Sequence, residues 1–464
     1  MAYNALHDDT IAAIATPFGR AGIGIVRMSG PRAGEIAQKI FRPNRAFQKF
    51  ESHRLYLGRL TDPSTGRMID EVLLSLMKAP HSYTGEDVIE INSHSGPLLL
   101  SRILQILLNE GARLAQPGEF TFRAFLSGRI DLTQAESVVD LVNAKSEKGL
   151  ELASRQIRGE LRTKIEDIRY KIIDVLALAE VAIDYPEEEV EILDRVKTAA
   201  LIEDEIMKPV KRIIAAHGRR KIWMEGVKTV IAGRVNAGKS SLLNRLLNEQ
   251  RAIVTPVPGT TRDVIESTIY IEGLPFLLMD TAGIRKVRGK IEEKGIQLSE
   301  QKLVESDLAL VLIDQSRPLN EDDIRILKKA PRDCSLIVVN KIDLPSRVDG
   351  KALMRSANGL PVTRISALLG EGIDTLCGLM REKVMKGDLD NDSSSPVPNQ
   401  RQKTALLEVS GFLKVALNNI REDASMEIIA VDLRSALDSL AVITGETGNE
   451  EIYDRIFREF CLGK

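Results

Sequence analysis

One short motif near the middle of the chain constrains the fold more than any other feature. Residues 233–240, GRVNAGKS, match the pattern G-x-x-x-x-G-K-[ST] and lie between an apolar run, VKTVIAG, and a helical pattern, SLLNRLL. In this context the glycines allow backbone N–H groups to surround a phosphate at the start of a helix. The motif therefore predicts a P-loop, with Lys239 on the β- and γ-phosphate oxygens and Ser240 on Mg²⁺.

Apolar runs continue after this motif in the manner of buried parallel strands. FLLMD, LALVLID, SLIVVNKID and PVTRISA alternate with helical segments up to about residue 385. Strands that are covered by helices on both faces have such nearly continuous apolar sequences. We therefore predict a Ras-like, doubly wound α/β domain over residues 223–385.

Two further motifs predict that the base of the bound nucleotide is guanine. In NKID, the Asp343 carboxylate can accept hydrogen bonds from N1–H and the N2 amino group of guanine, which adenine does not offer. SAL, residues 366–368, follows the next apolar run, where a backbone N–H can meet guanine O6. The GTP contacts predicted here are Asn340, Lys341, Asp343, Ser366 and Ala367.

The remaining phosphate and metal contacts are predicted in two loops. DTAG, residues 280–283, ends an apolar run, so Asp280 can hold a magnesium-bound water and the Gly283 N–H can contact the γ-phosphate. In PGTTRD, residues 258–263, Thr261 can complete the Mg²⁺ shell. The full predicted GTP set also includes Asn236, Ala237, Gly238, Ser241, Thr255, Thr260, Thr281 and Ala282.

The glutamine that orients water in Ras-like proteins is absent after DTAG. Ile284 and Arg285 stand at that point, and an apolar residue cannot orient the attacking water. Another group must therefore position water and neutralise the developing charge. Asn236 in the P-loop is a candidate ligand for a monovalent cation at that place, and the alternative is that it only caps or stiffens the loop.

The segments on either side of the nucleotide-binding domain have different patterns. Residues 1–124 mix short β-rich runs with Gly/Pro turns and one helix, LLLSRILQILLNEGA, which predicts an α+β domain. Residues 125–222 and 386–464 carry apolar residues at helical spacing, and GDLDNDSSSPVPNQRQ has the composition of a linker. The economical prediction is one helical domain that is interrupted by the inserted nucleotide-binding domain.

Composition and charge exclude several classes of protein. Lys and Arg number 64 against 66 Asp and Glu, so no global charge draws the chain to nucleic acid or anionic lipid. No apolar run reaches the ~20 residues that cross a bilayer, and the first residues lack the basic start of a secretory signal. Three separated cysteines without a CxxC pair fit a reducing compartment. We expect a cytoplasmic protein with no membrane contact and no zinc site.

Strings near both ends of the chain resemble the MnmE family, also called TrmE. The resemblance rests on ATPFGRAGIGIVRMSG, SYTGEDVIEI, PGEFTFRAFLSGRIDLTQAESVVDLV and CLGK together with the GTPase motifs, and it covers essentially the whole chain. The family implies a GTP hydrolase that takes part in modifying C5 of the wobble uridine of certain tRNAs. It also implies a homodimer that forms a heterotetramer with MnmG (GidA), and the FAD belongs to that partner.

The resemblance implies a folate site in the α+β domain. A tetrahydrofolate derivative, in the 5-formyl or 5,10-methylene form, is expected at Arg27, Glu86, Arg129 and Lys464. Arg129 takes the place of a lysine in the family string, so the positive charge is kept. Cys461 matches the carboxy-terminal cysteine of the family.

The resemblance also implies how GTP is hydrolysed. Potassium is expected at Asn236, Thr255, Val257 and Thr260, where it stabilises the charge of the transition state. Glu292 is expected to position water and is favoured over Glu293 by its spacing from DTAG. The predicted catalytic residues are Glu292, Lys239 and Thr261.

Two rival functions stay open at the level of sequence. A ribosome-assembly GTPase often carries an apolar residue in place of the Ras glutamine, although no GXXG loop of a KH-like unit and no strongly basic tail is present here. A structural scaffold that dimerises with GTP would have no affinity for folate. From the residues alone, EEIYDRIFREFCLGK is an amphipathic docking helix with a frayed tail. Binding of 5-formyltetrahydrofolate separates the first hypothesis from both rivals.

Overall fold

The computed structural model of the protein describes residues 9–17, 19–45, 49–185, 193–249, 266–279, 303, 306–385, 395–448 and 450–464. The chain divides into two compact units. The first combines Met1–Val142, Ala153–Ile214 and Gln400–Lys464, and the second combines Asn143–Leu152 and Ala215–Asn399. Among the described residues, no helix has the length and apolar character needed to span a membrane.

A seven-stranded sheet forms the amino-terminal part of the first unit. Its strands are β1 Ile11–Ile14, β2 Gly24–Ser29, β3 Phe41–Pro43, β4 Arg54–Thr61, β5 Met68–Met77, β6 Val88–Ser93 and β7 Arg113–Leu114. The order across the sheet is β3-β4-β5-β6-β2-β1-β7, and every pair is antiparallel except β1 with β7. In β5, alternate residues Val72, Leu74 and Leu76 are buried, as expected of a sheet whose core lies on one face.

Two helices, α1 Ala33–Ile40 and α2 Pro97–Asn109, pack on this sheet. Ile36 of α1 and Leu100 and Ile103 of α2 are fully buried in one cluster with apolar strand residues. Pro97 begins α2, where its missing N–H costs nothing because the first N–H groups of a helix have no helical partner. The sequence predicted α2, whereas the eight residues of α1 are too few for a clear apolar pattern.

Helices then dominate the chain up to the P-loop. They are α3 Glu119–Leu126, α4 Leu132–Asn143, α5 Glu147–Ile157, α6 Glu160–Asp184, α7 Arg195–Leu201 and α8 Lys208–Arg220, with π-helical segments at Ile202–Met207 and Lys221–Glu225. On α6, buried apolar residues recur at three and four positions, as in Leu161, Ile165, Ile168 and Ile172. This spacing places them on one face of the helix.

A six-stranded sheet forms the centre of the second unit. Its strands are β8 Val227–Ala232, β9 Glu266–Ile271, β10 Leu274–Met279, β11 Leu308–Asp314, β12 Ser335–Asn340 and β13 Val362–Ile365. Their order is β13-β12-β11-β8-β10-β9, and all neighbours are parallel except β10 with β9. In the described residues after β8, the helices are α9 Lys239–Glu249, α10 Glu321–Lys329, α11 Gly350–Ala357 and α12 Ile373–Val384, and a 3₁₀ turn covers Arg332–Cys334.

Two apolar clusters cover the two faces of this sheet. Every residue of β11 is buried. Leu310 and Leu312 belong to one cluster, whereas Val311 and Ile313 belong to the other. Alternate residues of one strand therefore enter opposite layers, which confirms the predicted doubly wound fold class.

The carboxy-terminal helices return to the first unit. They are α13 Gln400–Arg421, α14 Met426–Thr444 and α15 Glu450–Phe457. Ile165 and Ile172 of α6 lie in one buried cluster with Leu413 of α13 and with Leu433 and Leu440 of α14. The sequence predicted one helical domain with the nucleotide-binding domain inserted in it, and the packing of α6 against α13 and α14 agrees with this fold class.

Candidate nucleotide-binding site

The P-loop, which connects β8 to α9, contains residues in unusual backbone conformations. Asn236 and Gly238 have φ values of 66° and 98°, in the left-handed region that glycine adopts freely and asparagine tolerates. A Cβ atom at Gly238 would overlap the side-chain nitrogen of Asn340. The loop conformation and the close approach of Asn340 therefore both require glycine at this position.

Lys239 crosses the P-loop and holds its first residues. Its Nζ donates to the carbonyl oxygen of Gly233 at 2.6 Å and to that of Arg234 at 2.9 Å. Lys239 is also the first residue of α9, where N–H groups and the helix dipole favour an anion. The loop thus combines a positive charge with a helix N-terminus, which suits the phosphates of a nucleotide.

Asn340 joins the P-loop to the loop that follows β13. Its Nδ2 donates to the Ala237 carbonyl at 2.9 Å, and its Oδ1 accepts from the Ala367 N–H at 3.0 Å. Asn340 ends β12 and is buried. Because the carboxyl ends of parallel strands meet at one edge of a sheet, three motifs that are distant in sequence form one site.

Asp343 and Ser366 are also brought together. The Ser366 hydroxyl donates to Asp343 Oδ1 at 2.5 Å and accepts from the Leu369 N–H at 3.1 Å. Ser366 is completely buried. The hydroxyl therefore orients the carboxylate that the sequence predicts to bind N1–H and N2 of guanine.

Lys341 is held by an acid that the sequence analysis did not single out. Lys341 has a φ of 68°, and its Nζ donates to Asp314 Oδ2 at 2.7 Å. The backbone N–H and the hydroxyl of Ser316 donate to Asp314 Oδ1 at 2.9 and 2.7 Å. Burial opposes ionisation of this carboxyl, but the hydrogen bonds and the charge of Lys341 hold its pKa below the ordinary value. The available signal was an aspartate at the end of an apolar strand, LALVLID.

Other predicted residues of the GTP site have fewer described contacts. Ser240 and Ser241 lie in the first turn of α9. β10 ends at Met279, so DTAG follows it directly, and β10 pairs in parallel with β8. The predicted residues that lie outside the described part of the chain are Thr255, Val257, Thr260, Thr261, Asp280, Thr281, Ala282, Gly283 and Glu292.

A second group of predicted residues surrounds Tyr83 in the first unit. The guanidinium carbons of Arg27 and Arg129 lie 5.9 and 5.1 Å from the centre of the Tyr83 ring, within the range of cation–π contacts. Arg27 also donates to the Gly463 carbonyl at 3.3 Å and pairs with Glu90 at 2.8 Å. The structure thus brings Arg27, Arg129 and the segment that contains Lys464 to one place.

The carboxy-terminal segment packs closely on the first strand. Gly463 is buried with a φ of 88°, and a Cβ atom there would overlap the carbonyl oxygen of Ile14. The Lys464 N–H donates to the Cys461 carbonyl at 3.3 Å. Cys461 itself is an exposed free thiol.

Glu86 is held by a residue that the sequence analysis missed. Its carboxylate accepts from the Ser29 hydroxyl at 2.7 Å and from Arg123 at 3.1 Å. Arg123 is buried and also donates to Glu119 at 2.9 Å and to Asp9 at 2.6 Å. An arginine inside the aromatic string PGEFTFRAFL was the available signal, because a charge on a buried helix needs partners.

The second unit therefore contains the fold and the site of a P-loop GTPase: a doubly wound sheet, a P-loop closed by Lys239 and an NKxD loop bound to it. The family model of the MnmE helical domain matches residues 132–461, and that of the GTP-binding protein TrmE N-terminus matches residues 10–129. The chain belongs to the MnmE family.

Relatives match the chain over nearly its full length. The protein named tRNA modification GTPase MnmE of Carboxydothermus hydrogenoformans is 44% identical over 462 residues, which cover 98% of this chain and 100% of that protein. The protein of the same name from Clostridioides difficile is 43% identical over 459 residues, which cover 98% of this chain and 99% of that protein. The resemblance inferred from the sequence strings is thereby confirmed.

Proposed function

We propose that this chain is a K⁺-stimulated, Mg²⁺-dependent GTP hydrolase that works with an FAD-dependent partner, MnmG. Together they add a carboxymethylaminomethyl or aminomethyl group to C5 of the wobble uridine of certain tRNAs. A tetrahydrofolate derivative supplies a one-carbon unit. The observation that carries the proposal is that one chain holds both the GTPase site and the cationic cluster around Tyr83. The name shared by its relatives, tRNA modification GTPase, supports the substrate.

In the proposed GTPase reaction, this chain positions charge around the phosphates. Lys239 neutralises the β- and γ-phosphate oxygens, and Ser240, which follows it in the first turn of α9, supplies a hydroxyl to Mg²⁺ together with Thr261. Glu292 orients the attacking water. Asp343 and the loop at Ala367 select guanine, so the substrate is GTP.

Asn236 is the proposed potassium ligand of the P-loop, together with Thr255, Val257 and Thr260. Its exposed amide side chain lies within the phosphate loop, and its oxygen is a hard ligand of the kind that K⁺ accepts. A cation at this place supplies the positive charge that other GTPases take from arginine. We expect GTP turnover to be faster in KCl than in NaCl, and Asn236→Ala to abolish that difference. Equal rates in both salts for the wild type contradict the potassium proposal.

The proposed folate contacts are Arg27, Glu86, Arg129 and Lys464. A folate combines a flat heteroaromatic ring with carboxylates, and this cluster offers two guanidinium groups that lie over the ring of Tyr83. We expect Arg27→Ala to weaken binding of 5-formyltetrahydrofolate about tenfold in isothermal titration, the loss of about 1.4 kcal/mol. Arg59→Ala, an exposed arginine of β4, is the control that leaves affinity unchanged.

We further infer the assembly and the domain organisation. The chain forms a homodimer and, with MnmG, a heterotetramer in the cytoplasm. Its proposed domains are residues 1–124 for folate and dimerisation, 125–222 and 386–464 for the helical domain, and 223–385 for the GTPase. The family assignment supports this arrangement.

The decisive experiment is nucleoside mass spectrometry of bulk tRNA from a strain that lacks this gene. The strain is complemented with the wild-type chain, with Lys239→Ala, with Glu292→Ala or with a chain truncated before Cys461. We expect the C5-carboxymethylaminomethyluridine signal to vanish in the deletion strain and to return only with the wild type. An unchanged signal in the deletion strain overturns the tRNA assignment and favours a ribosome-assembly GTPase.

A further inference from the structure

Arg245 reaches from the phosphate-binding helix α9 to the loop that follows β13. Its Nε donates to the Ala367 carbonyl at 3.2 Å, and its Nη2 donates to the next carbonyl, that of Leu368. The donors of a guanidinium have a fixed planar arrangement, so one side chain holds two consecutive peptide groups in a defined orientation. None of the nucleotide-binding motifs includes this residue.

The loop Ser366–Gly372 is held differently at its base and at its tip. At the base, the Ser366 N–H donates to the Glu371 carbonyl at 2.9 Å, and the Gly370 N–H donates to the Ser366 carbonyl at 2.8 Å. At the tip, the side chains of Leu368 and Leu369 are 71% and 59% exposed, so burial does not fix them. Ser366 and Asn340 accept hydrogen bonds from the N–H groups of Leu369 and Ala367, whereas Arg245 holds the carbonyls of Ala367 and Leu368.

We propose that Arg245 is a positioning residue for guanine recognition. It fixes the backbone of the loop tip so that a backbone N–H of this loop meets guanine O6, and it links the loop to the helix that binds the phosphates. The inference rests on the proposed assignment of Asp343 and Ala367 to the guanine edge. Asp343 is oriented separately by Ser366. In this proposal Arg245 affects recognition of the base at O6, whereas Asp343 recognises N1 and N2.

A comparison of GDP with IDP and with 6-thio-GDP distinguishes these two sides of the base. IDP keeps O6 but lacks the N2 amino group, whereas 6-thio-GDP replaces O6 by sulfur, a larger and weaker acceptor. The Kd of each is measured on the full chain by displacement of a fluorescent GDP. The variants are Arg245→Ala, Arg245→Lys and Asn244→Ala, the last being an exposed neighbour in the same helix.

We expect Arg245→Ala to raise the Kd for GDP and for IDP about tenfold each, so that their ratio stays unchanged. The preference for GDP over 6-thio-GDP should decrease, because a correctly placed backbone N–H of the wild-type loop binds oxygen at position 6 more tightly than sulfur. Arg245→Lys should restore part of the affinity, since an ammonium can still reach one carbonyl. Asn244→Ala should bind all three nucleotides as the wild type does.

Two results overturn the proposal. Either Arg245→Ala leaves the Kd for GDP within about twofold of wild type, or it raises all three Kd values by one factor together with a lower Tm. The second result assigns Arg245 a packing role only. A wild-type chain that binds GDP no better than ADP instead refutes the guanine assignment, so the two failures are distinguishable.

Discussion

Gly238 lies at a position of the P-loop that has no room for a side chain. The residue has a φ of 98°, and a Cβ atom would overlap the Asn340 nitrogen that donates to Ala237. We expect Gly238→Ala to weaken GDP binding by about ten- to a hundredfold. Left-handed strain contributes about 1–2 kcal/mol, and the displaced hydrogen bond contributes about 1 kcal/mol more. Titration with fluorescent GDP measures the loss.

Gly218→Ala is the matched control for this substitution. Gly218 lies in α8, and a Cβ atom there meets no other atom within 4 Å. Alanine is favoured over glycine in a helix by up to about 1 kcal/mol, so this variant should bind GDP normally and be slightly more stable. Normal GDP affinity in Gly238→Ala would show that the loop tolerates a side chain after all.

Asp314 offers a test that depends on pH. Asp314→Asn keeps an acceptor but removes the charge that pairs with Lys341, and we expect the second unit to lose about 1–3 kcal/mol of unfolding free energy at neutral pH. Because the pKa of Asp314 is held below its ordinary value, the stabilisation is complete above ~3.9, the pKa of an unfolded aspartate. It is lost as the pH falls through the lower pKa of the folded state.

The difference in unfolding free energy between wild type and Asp314→Asn should therefore be constant from about pH 8 to pH 5 and decrease only below about pH 4. Urea unfolding followed by fluorescence of Trp223, the sole tryptophan, reports on the second unit. A difference that grows on acidification is incompatible with the depressed pKa.

The sequence predicted the residues of the nucleotide-binding motifs. It did not predict the residues that hold those motifs in place. Lys239, Asn340 and Asp343 carry motifs because nucleotide binding needs those groups at those spacings. Asp314 and Arg245 act through contacts that only the folded chain creates, since β11 and α9 are separated from their partner loops in sequence. A lone aspartate after a strand or an arginine on a helix looks the same in a protein without such a site.

At the scale of whole elements, one largely buried ion pair connects α13 to α4. Arg401 donates to both oxygens of Glu136, at 2.7 and 2.9 Å, and also to the Val442 carbonyl at 2.8 Å. Gln402 donates to the same carboxylate at 2.6 Å. The Glu136 side chain is only 9% exposed, so its charge depends on these donors.

We expect Glu136→Ala to lower the unfolding free energy of the first unit by about 3–5 kcal/mol, because the guanidinium of Arg401, only 20% exposed, then lacks its carboxylate partner. Loss of helical circular dichroism with urea measures this change. The control is Glu180→Ala, which removes the exposed pair between Arg434 of α14 and Glu180 of α6 and should cost less than ~1 kcal/mol. Equal effects of the two substitutions would refute the special role of the α4–α13 pair.

Long elements were predicted better than short ones. The run DEVLLSLMKA predicted β5, and helical spacing predicted α6, because each repeats its apolar period several times. The three residues of β3 and the two of β7 are strands only because longer strands pair with them. Pairing between distant segments leaves no periodic signal in so few residues.

At the scale of the whole molecule, the second unit should fold by itself. Its sheet and both covering clusters are formed within residues 215–399. We expect a fragment of these residues to bind GDP within about threefold of the full chain. The same fragment with Lys239→Ala should not bind GDP. This control excludes nonspecific adsorption of the nucleotide to the fragment.

The fragment should nevertheless be slightly less stable than the same unit in the full chain. It lacks Ser146, whose hydroxyl donates to the Trp223 carbonyl at 2.7 Å, a contact worth about 1 kcal/mol. A fragment that unfolds or loses GDP would show that the second unit depends on the rest of the chain.

The split of the first unit into separate segments has a consequence for biosynthesis. On the ribosome, the apolar face of α6 emerges well before its packing partners α13 and α14, with residues 215–399 made in between. At 5–20 residues per second that interval is roughly 10–40 s. The inserted unit can finish folding during this time, while the part of the α6 surface that α13 and α14 later cover stays exposed to solvent. We expect this surface to form temporary contacts or to bind chaperones for as long as translation of the insert lasts.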